Sequence, residues 1–183
     1  MKKTAIFFAQ GYEEIEALTV VDMLRRAKIQ IDMVSITGER LVESSHKVTV
    51  ETDLLLEDCA LMDYDMLILP GGLPGTVHLG ECTKLTDALI AFHKAGKPLA
   101  AICAAPSILG QLGILEGKRA TCYPGFEEKL LGAVHVEEPA VTDKTVITGR
   151  GMGAAIEFAA EIITYLEDAD KAAQIKKAIM YVR

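Results

Sequence analysis

The chain has 183 residues, half of them hydrophobic, and its 19 Lys and Arg against 26 Asp and Glu give a formal net charge of -7. That length suits one well-buried domain spanning residues 1–183. The acidic balance argues against nucleic acid or an anionic membrane as a partner. No apolar run reaches membrane-spanning length and the first residues lack a secretory cleavage pattern.

Thr4-Ala5-Ile6-Phe7-Phe8-Ala9 reads as a buried strand, which Gln10-Gly11-Tyr12 turns into a helix over about residues 13–28. A strand over 31–36 follows, then a polar peripheral hairpin around 41–43 and 47–51. Met66-Leu67-Ile68-Leu69-Pro70 resumes the core, and Gly71-Gly72-Leu73-Pro74-Gly75 leads into one long amphipathic helix ending near Ala95-Gly96. A strand over 99–102 passes without a loop into a helix starting at Ala104 or Ala105. Short strands near 119–122, 133–136 and 144–148 precede helices over 154–167 and 171–180. Strands alternating with helices predict an α/β fold, a doubly wound, mostly parallel sheet covered on both faces. Ligands gather at the carboxyl ends of such strands, where Gln10-Gly11, Gly71-Gly72, Cys103 and Gly149-Arg150-Gly151 all fall.

Cys103 stands at the junction in Leu99-Ala100-Ala101-Ile102-Cys103-Ala104-Ala105-Pro106 where the strand pattern meets the helical one. A cysteine is by default a small buried hydrophobe. At a sharp strand-to-helix turn, however, it meets free N–H groups and the positive helix end, so its pKa is expected to fall. Among Glu13, Glu14 and Glu16, the last shares a helix side with Val20, Met23, Leu24 and Ala27 and points inward. Glu14 lies at the edge of that face, and Glu13 also projects inward from a fraying first turn. Burial should raise the Glu16 pKa. The Gly72 and Ala104 N–H groups could form an oxyanion hole beside Cys103, with Gly71 permitting close approach.

Gly149-Arg150-Gly151-Met152-Gly153 has the wrong spacing for a dinucleotide fingerprint; a tight loop presenting Arg150 to an anionic ligand is expected instead. His46, His78, His93 and His135 are read as surface or packing residues, and Cys122 could lie near the same rim. Cys59, Cys82, Cys103 and Cys122 lack C-x-x-C spacing, which disfavours zinc or a redox disulfide. Free thiols in a reducing cytoplasm, with no metal and no cofactor, are the expectation.

Gly11-Tyr12-Glu13-Glu14-Ile15-Glu16, Leu69-Pro70-Gly71-Gly72, Ala100 to Pro106 and Thr148 to Gly153, in this order, resemble the ThiJ/PfpI superfamily, in the branch of the Parkinson-disease-associated deglycase and its bacterial relatives. The resemblance spans almost the whole chain. It implies a flavodoxin-like sandwich, a homodimer, Cys103 as the elbow cysteine and Glu16 as the carboxylic acid bonded to it. Protease-like members place His after that cysteine. Ala104 stands here, and a Cys-His dyad is therefore disfavoured. Tyr123 occupies a position where some members carry His; it donates a hydrogen bond but is no base near neutral pH. The implied substrates are small reactive 2-oxoaldehydes or their early adducts on amines and thiols. The alternative is a redox-responsive stress protein or chaperone with an oxidisable Cys103. A thiazole-phosphate role in thiamine synthesis would need a phosphate site, and the sequence holds no P-loop.

Overall fold

The computed structural model describes residues 2–182. Strand β1 (Lys3–Phe8) leads to helix α1 (Glu14–Arg26), then to β2 (Gln30–Ser35), the hairpin strands β3 (Leu41–Glu43) and β4 (Thr49–Glu51), and the two-residue β5 (Leu54–Leu55). Next come β6 (Met66–Leu69), helices α2 (Gly75–Glu81) and α3 (Thr83–Lys94), β7 (Leu99–Ile102) and helix α4 (Pro106–Gln111). The chain continues through β8 (Arg119–Ala120), β9 (Val134–His135), β10 (Ala140–Asp143), β11 (Val146–Gly149), α5 (Ala155–Leu166) and α6 (Ala169–Ala178).

Seven strands form one sheet in the order β10-β11-β7-β6-β1-β2-β5, parallel throughout except for the antiparallel β10–β11 pair. Successive side chains point to opposite faces, so continuous apolar strands serve two cores. Ile6, Phe8, Met66, Ile68, Ala100, Ile102 and Ile147 pack beneath α1, α5 and α6. Ala5, Phe7, Leu67, Leu69, Leu99, Ala101 and Val146 face α3 and α4. The predicted doubly wound sandwich is therefore the observed one.

Several boundaries differ from expectation. The long helix after the Gly-Gly loop is two helices, because Cys82 is extended: its N–H closes α2 on Leu79 O while its carbonyl opens α3 by accepting from Leu85 and Thr86. The helix after Cys103 starts later, at Pro106, and has six residues. The strand near 119–122 shrinks to β8, which pairs with β9 in a separate ribbon. Strand β10 was hidden by the polar turn at Asp143-Lys144, where Lys144 adopts φ 54°. The peripheral hairpin forms as expected, with Val42 opposite Val50.

Helix α4 is seated by a missing side chain. A Cβ on Gly110 would lie 2.4 Å from Lys129 O and 2.8 Å from Leu131 N, both backbone atoms. Gly110→Ala should cost about 2 kcal/mol or more through forced displacement, read as a lowered denaturant midpoint. An unchanged midpoint would show that the 127–131 turn moves freely away from α4.

Candidate functional site

The carboxyl ends of β1, β6, β7 and β11 present their following loops at one rim, as the topology requires. Cys103 follows β7 with φ 66°, a left-handed conformation that an L-residue adopts at a cost of roughly 1–2 kcal/mol. Bonds on both sides hold it there: its N–H donates to Gly149 O at 2.9 Å, and its carbonyl accepts from Tyr123 N–H at 2.8 Å. Small neighbours make the turn possible, and Cys103 ends 8% exposed. The Ala104 and Gly72 N–H groups both donate toward its sulfur. Gly72 reaches that pose with φ 96°.

Glu16 is completely buried on the inward face of α1, as its helical position predicted. Its Oε2 accepts from Gly71 N–H at 2.9 Å, and Met152 N–H is directed at the same carboxyl. The carboxyl and the Cys103 thiol are neighbours around Gly71. A Cβ on Gly71 would sit 2.6 Å from both Glu16 Oε2 and Cys103 Cβ and 3.1 Å from Sγ. Glu16 Oε1 is buried without a partner. Glu13, expected to fray, caps α1 instead: its Oε2 accepts from Glu16 N–H at 2.7 Å. The Glu-x-x-Glu spacing was the available signal for that cap.

Burial is the main cause that lifts the Glu16 pKa to about 7; the Cys103 and Gly71 hydrogen bonds oppose it, and the Glu13 charge adds to it. The expected fall in the Cys103 pKa is overturned. Burial, followed by the Glu16 charge, pushes the thiol well above its ordinary value, outweighing the two N–H donors. The shortness of α4 explains part of this, since six residues beginning three positions later supply little dipole at the sulfur. In the resting pair, charge therefore resides on Glu16 before it resides on sulfur.

Tyr123 and Arg150 stand apart from this triangle and line a neighbouring cleft of about 400 Å³ with Pro124, Pro139, Gly151 and Met152. Met152 and the prolines were not anticipated, because apolar residues in a loop carry no chemical signature. Cys122 is buried, and burial raises its pKa to about 11. All four cysteines are free. Among the described residues, Glu13, Glu14 and His46 form a group with the spacing for a metal ion, their ligand atoms within 4.8 Å of one another. His46 Nδ1 lies 3.1 Å from Glu14 Oε2. No helix among the described residues is long and apolar enough to cross a membrane.

Residues 2–165 match the model of the DJ-1/PfpI family. The chain is 38% identical over 173 residues to Protein DJ-1 homolog A of Arabidopsis thaliana, covering 94% of this chain but 44% of that protein, so it spans less than half of that relative's length. It is 32% identical over 169 residues to Glutathione-independent glyoxalase DJR-1.2 of Caenorhabditis elegans, covering 91% of this chain and 89% of that one. The solved structure of oxidized Toxoplasma gondii DJ-1 superposes with a TM-score of 0.96 at 32% identity over the full length of both chains. With its elbow cysteine, its buried glutamate and this extent of similarity in sequence and fold, the chain belongs to the DJ-1/PfpI family.

Proposed function

We propose that the protein is a cofactor-independent enzyme that converts 2-oxoaldehydes such as methylglyoxal, free or as early adducts, to 2-hydroxy acids. The observation carrying this reading is the crowding of the buried Glu16 carboxyl and the Cys103 thiol around Gly71, where burial lifts the Glu16 pKa to about 7 and the Gly72 and Ala104 N–H groups are directed at the sulfur. The similarity to a glutathione-independent glyoxalase supports it. As sulfur attacks the aldehyde carbon C1, the thiol proton passes to the Glu16 carboxylate, so no preformed thiolate is needed. The Gly72 and Ala104 N–H groups stabilise the oxyanion, which takes that proton to give a hemithioacetal. Ionised Glu16 then removes the C1 hydrogen as a proton and returns it to C2 while the C1 hydroxyl proton passes to the C2 oxygen, so that C1 is oxidised to the thioester level as C2 is reduced to the alcohol. Water cleaves the thioester, releasing the hydroxy acid and the Cys103 thiol. The net reaction consumes one water and no external oxidant or reductant.

The exposed apolar side chains Ile15 on α1 and Leu41 and Val48 in the hairpin segment fit the homodimer in this reading. A redox-responsive role is the second reading. It is favoured by the oxidised state of the Toxoplasma gondii relative and by the unpartnered Glu16 Oε1, which could bond an oxygen added to sulfur.

Wild-type protein should form lactate from methylglyoxal without glutathione, and Cys103→Ser should abolish it; equal inactivity of both would sink the enzymatic reading. Base catalysis requires ionised Glu16, so kcat/KM should climb through an apparent pKa near 7. Glu16→Gln should lose that limb and about 100-fold or more in rate.

Stability should show the opposite sign. Between about pH 4.5 and 7 the folded chain keeps a Glu16 proton that the unfolded chain has released. This stabilisation is therefore present in acid and lost as pH rises through 7. Glu16→Gln should accordingly exceed wild type at pH 8 by up to roughly 3 kcal/mol, with the gap closing toward pH 4.5; a gap independent of pH would contradict a buried ionised carboxylate. In the second reading, mild peroxide should oxidise Cys103 ahead of the less buried Cys82 in spite of the raised thiol pKa, because Glu16 Oε1 is free to hold the added oxygen. Cys82 oxidised first, by mass spectrometry, would remove that reading, and Cys103 selectivity without aldehyde turnover would favour it over the enzyme.

A further inference from the structure

A three-carbon aldehyde leaves most of the neighbouring cleft unfilled. Its volume is about 400 Å³, within the roughly 300–1,000 Å³ of sites that hold drug-sized ligands. We propose that this cleft receives the distal part of a larger 2-oxoaldehyde whose acyl group is an apolar or aromatic body ending in a carboxylate, with Arg150 selecting for the anion. The inference rests on the 2-oxoaldehyde reading of Cys103 and Glu16.

The cleft is tied to both proposed reacting groups. Tyr123 N–H donates to Cys103 O, and Met152 N–H is directed at the Glu16 carboxyl. These backbone contacts set the cleft beside the elbow, so that a substrate with its aldehyde at sulfur can extend its tail between Tyr123 and the 150–154 loop. The walls suit a flat apolar body: the Tyr123 ring, Pro124, Pro139 and Met152. Gly151 keeps the ring close, since a Cβ there would lie 3.1 Å from Tyr123 Cδ2.

Arg150 supplies the polar end. Its backbone is fixed by N–H donation to Pro139 O at 2.9 Å, while its side chain is about one-third exposed. The guanidinium meets Glu137 Oε2 at 3.6 Å, beyond hydrogen-bond length, and the Glu137 side chain is 75% exposed. Such a pair is weak. A carboxylate entering the cleft can replace it with a bidentate, charge-assisted contact. The Arg150 charge is felt by its neighbours: it opposes the burial that raises the Cys122 pKa, and it adds to the backbone hydrogen bonding that lowers the Glu127 pKa. Arg150 is the cation among the residues lining the cleft, in a chain of net charge -7, and so offers an entering anion its favourable contact there.

The test compares kcat/KM for 4-carboxyphenylglyoxal and phenylglyoxal, which differ in the distal carboxylate. Wild type should prefer the carboxylated substrate roughly tenfold, as expected for one charge-assisted contact. Arg150→Gln should collapse the ratio to near one, Arg150→Lys should retain part of it, and Glu137→Gln should raise it a few-fold by removing the competing carboxylate. Turnover of both substrates with a ratio near one in wild type, or a ratio unmoved by Arg150→Gln, overturns the proposal. Binding of 4-acetylbenzoate against 4-methylacetophenone, measured by ligand-observed NMR, probes the cleft without an aldehyde. Arg150-dependent preference for the benzoate with no turnover of any aldehyde would sink the 2-oxoaldehyde reading while upholding anion selection by the cleft. No preference in either assay overturns the anion selection itself.

Discussion

The Gly71 N–H donates to a carboxyl oxygen of Glu16 across 2.9 Å, and the rest of the site is arranged around that contact. A carboxyl group buried in the first turn of a helix is costly unless polar groups come to it. Here they come from three directions: the Gly71 loop after β6, the Cys103 elbow after β7 and the Met152 loop after β11. These three strands are adjacent in the sheet, so the carboxyl acts as a post to which consecutive loops are tied. The contact leaves no room for a side chain at Gly71, which explains a glycine whose backbone angles do not themselves demand one.

Burial of Glu16 weakens the fold at neutral pH and creates its reactivity there. The same desolvation that raises its pKa to about 7 makes it a base that both gains and loses a proton easily under physiological conditions. The thiol is the less acidic member of the pair, and the backbone donors around it stabilise charge that appears during reaction more than charge present at rest. Strain at Cys103 belongs to the same economy: a left-handed cysteine persists because β11 and the Tyr123 loop grip its peptide groups from both sides.

Much of this was legible in the sequence. Alternation of strand and helix patterns gives the sandwich, and the position of Glu16 relative to Val20 and Leu24 on one helix side gives its inward direction. Electrostatic balance was harder to read, because the Cys103 pKa depends on how much water the fold removes and on a charge contributed from another element. Cys82 shows a second limit. Nothing in its identity marks it as extended; the break arises from the separate hydrogen-bond closures of α2 and α3. The cleft was half legible: Arg150 and Tyr123 carry polar chemistry that invites attention, whereas Pro124, Pro139 and Met152 become a wall only when β11 and the 123–126 turn are brought side by side.

Strand β5 contributes two residues to one margin of a sheet whose interior strands have four to six. Its brevity is protective. Unpaired N–H and C=O groups on a long outer strand would template the addition of a foreign strand, and a sheet this rich in Val, Ile, Leu and Phe would be a dangerous template. Two residues that turn at once into a short 3₁₀ segment offer too few groups in register to recruit one. The fold thus closes this margin by running out of strand and by capping the part of β2 that β5 leaves uncovered, where Asp53 accepts from Met33 N–H and Arg25 donates toward Ile31 O.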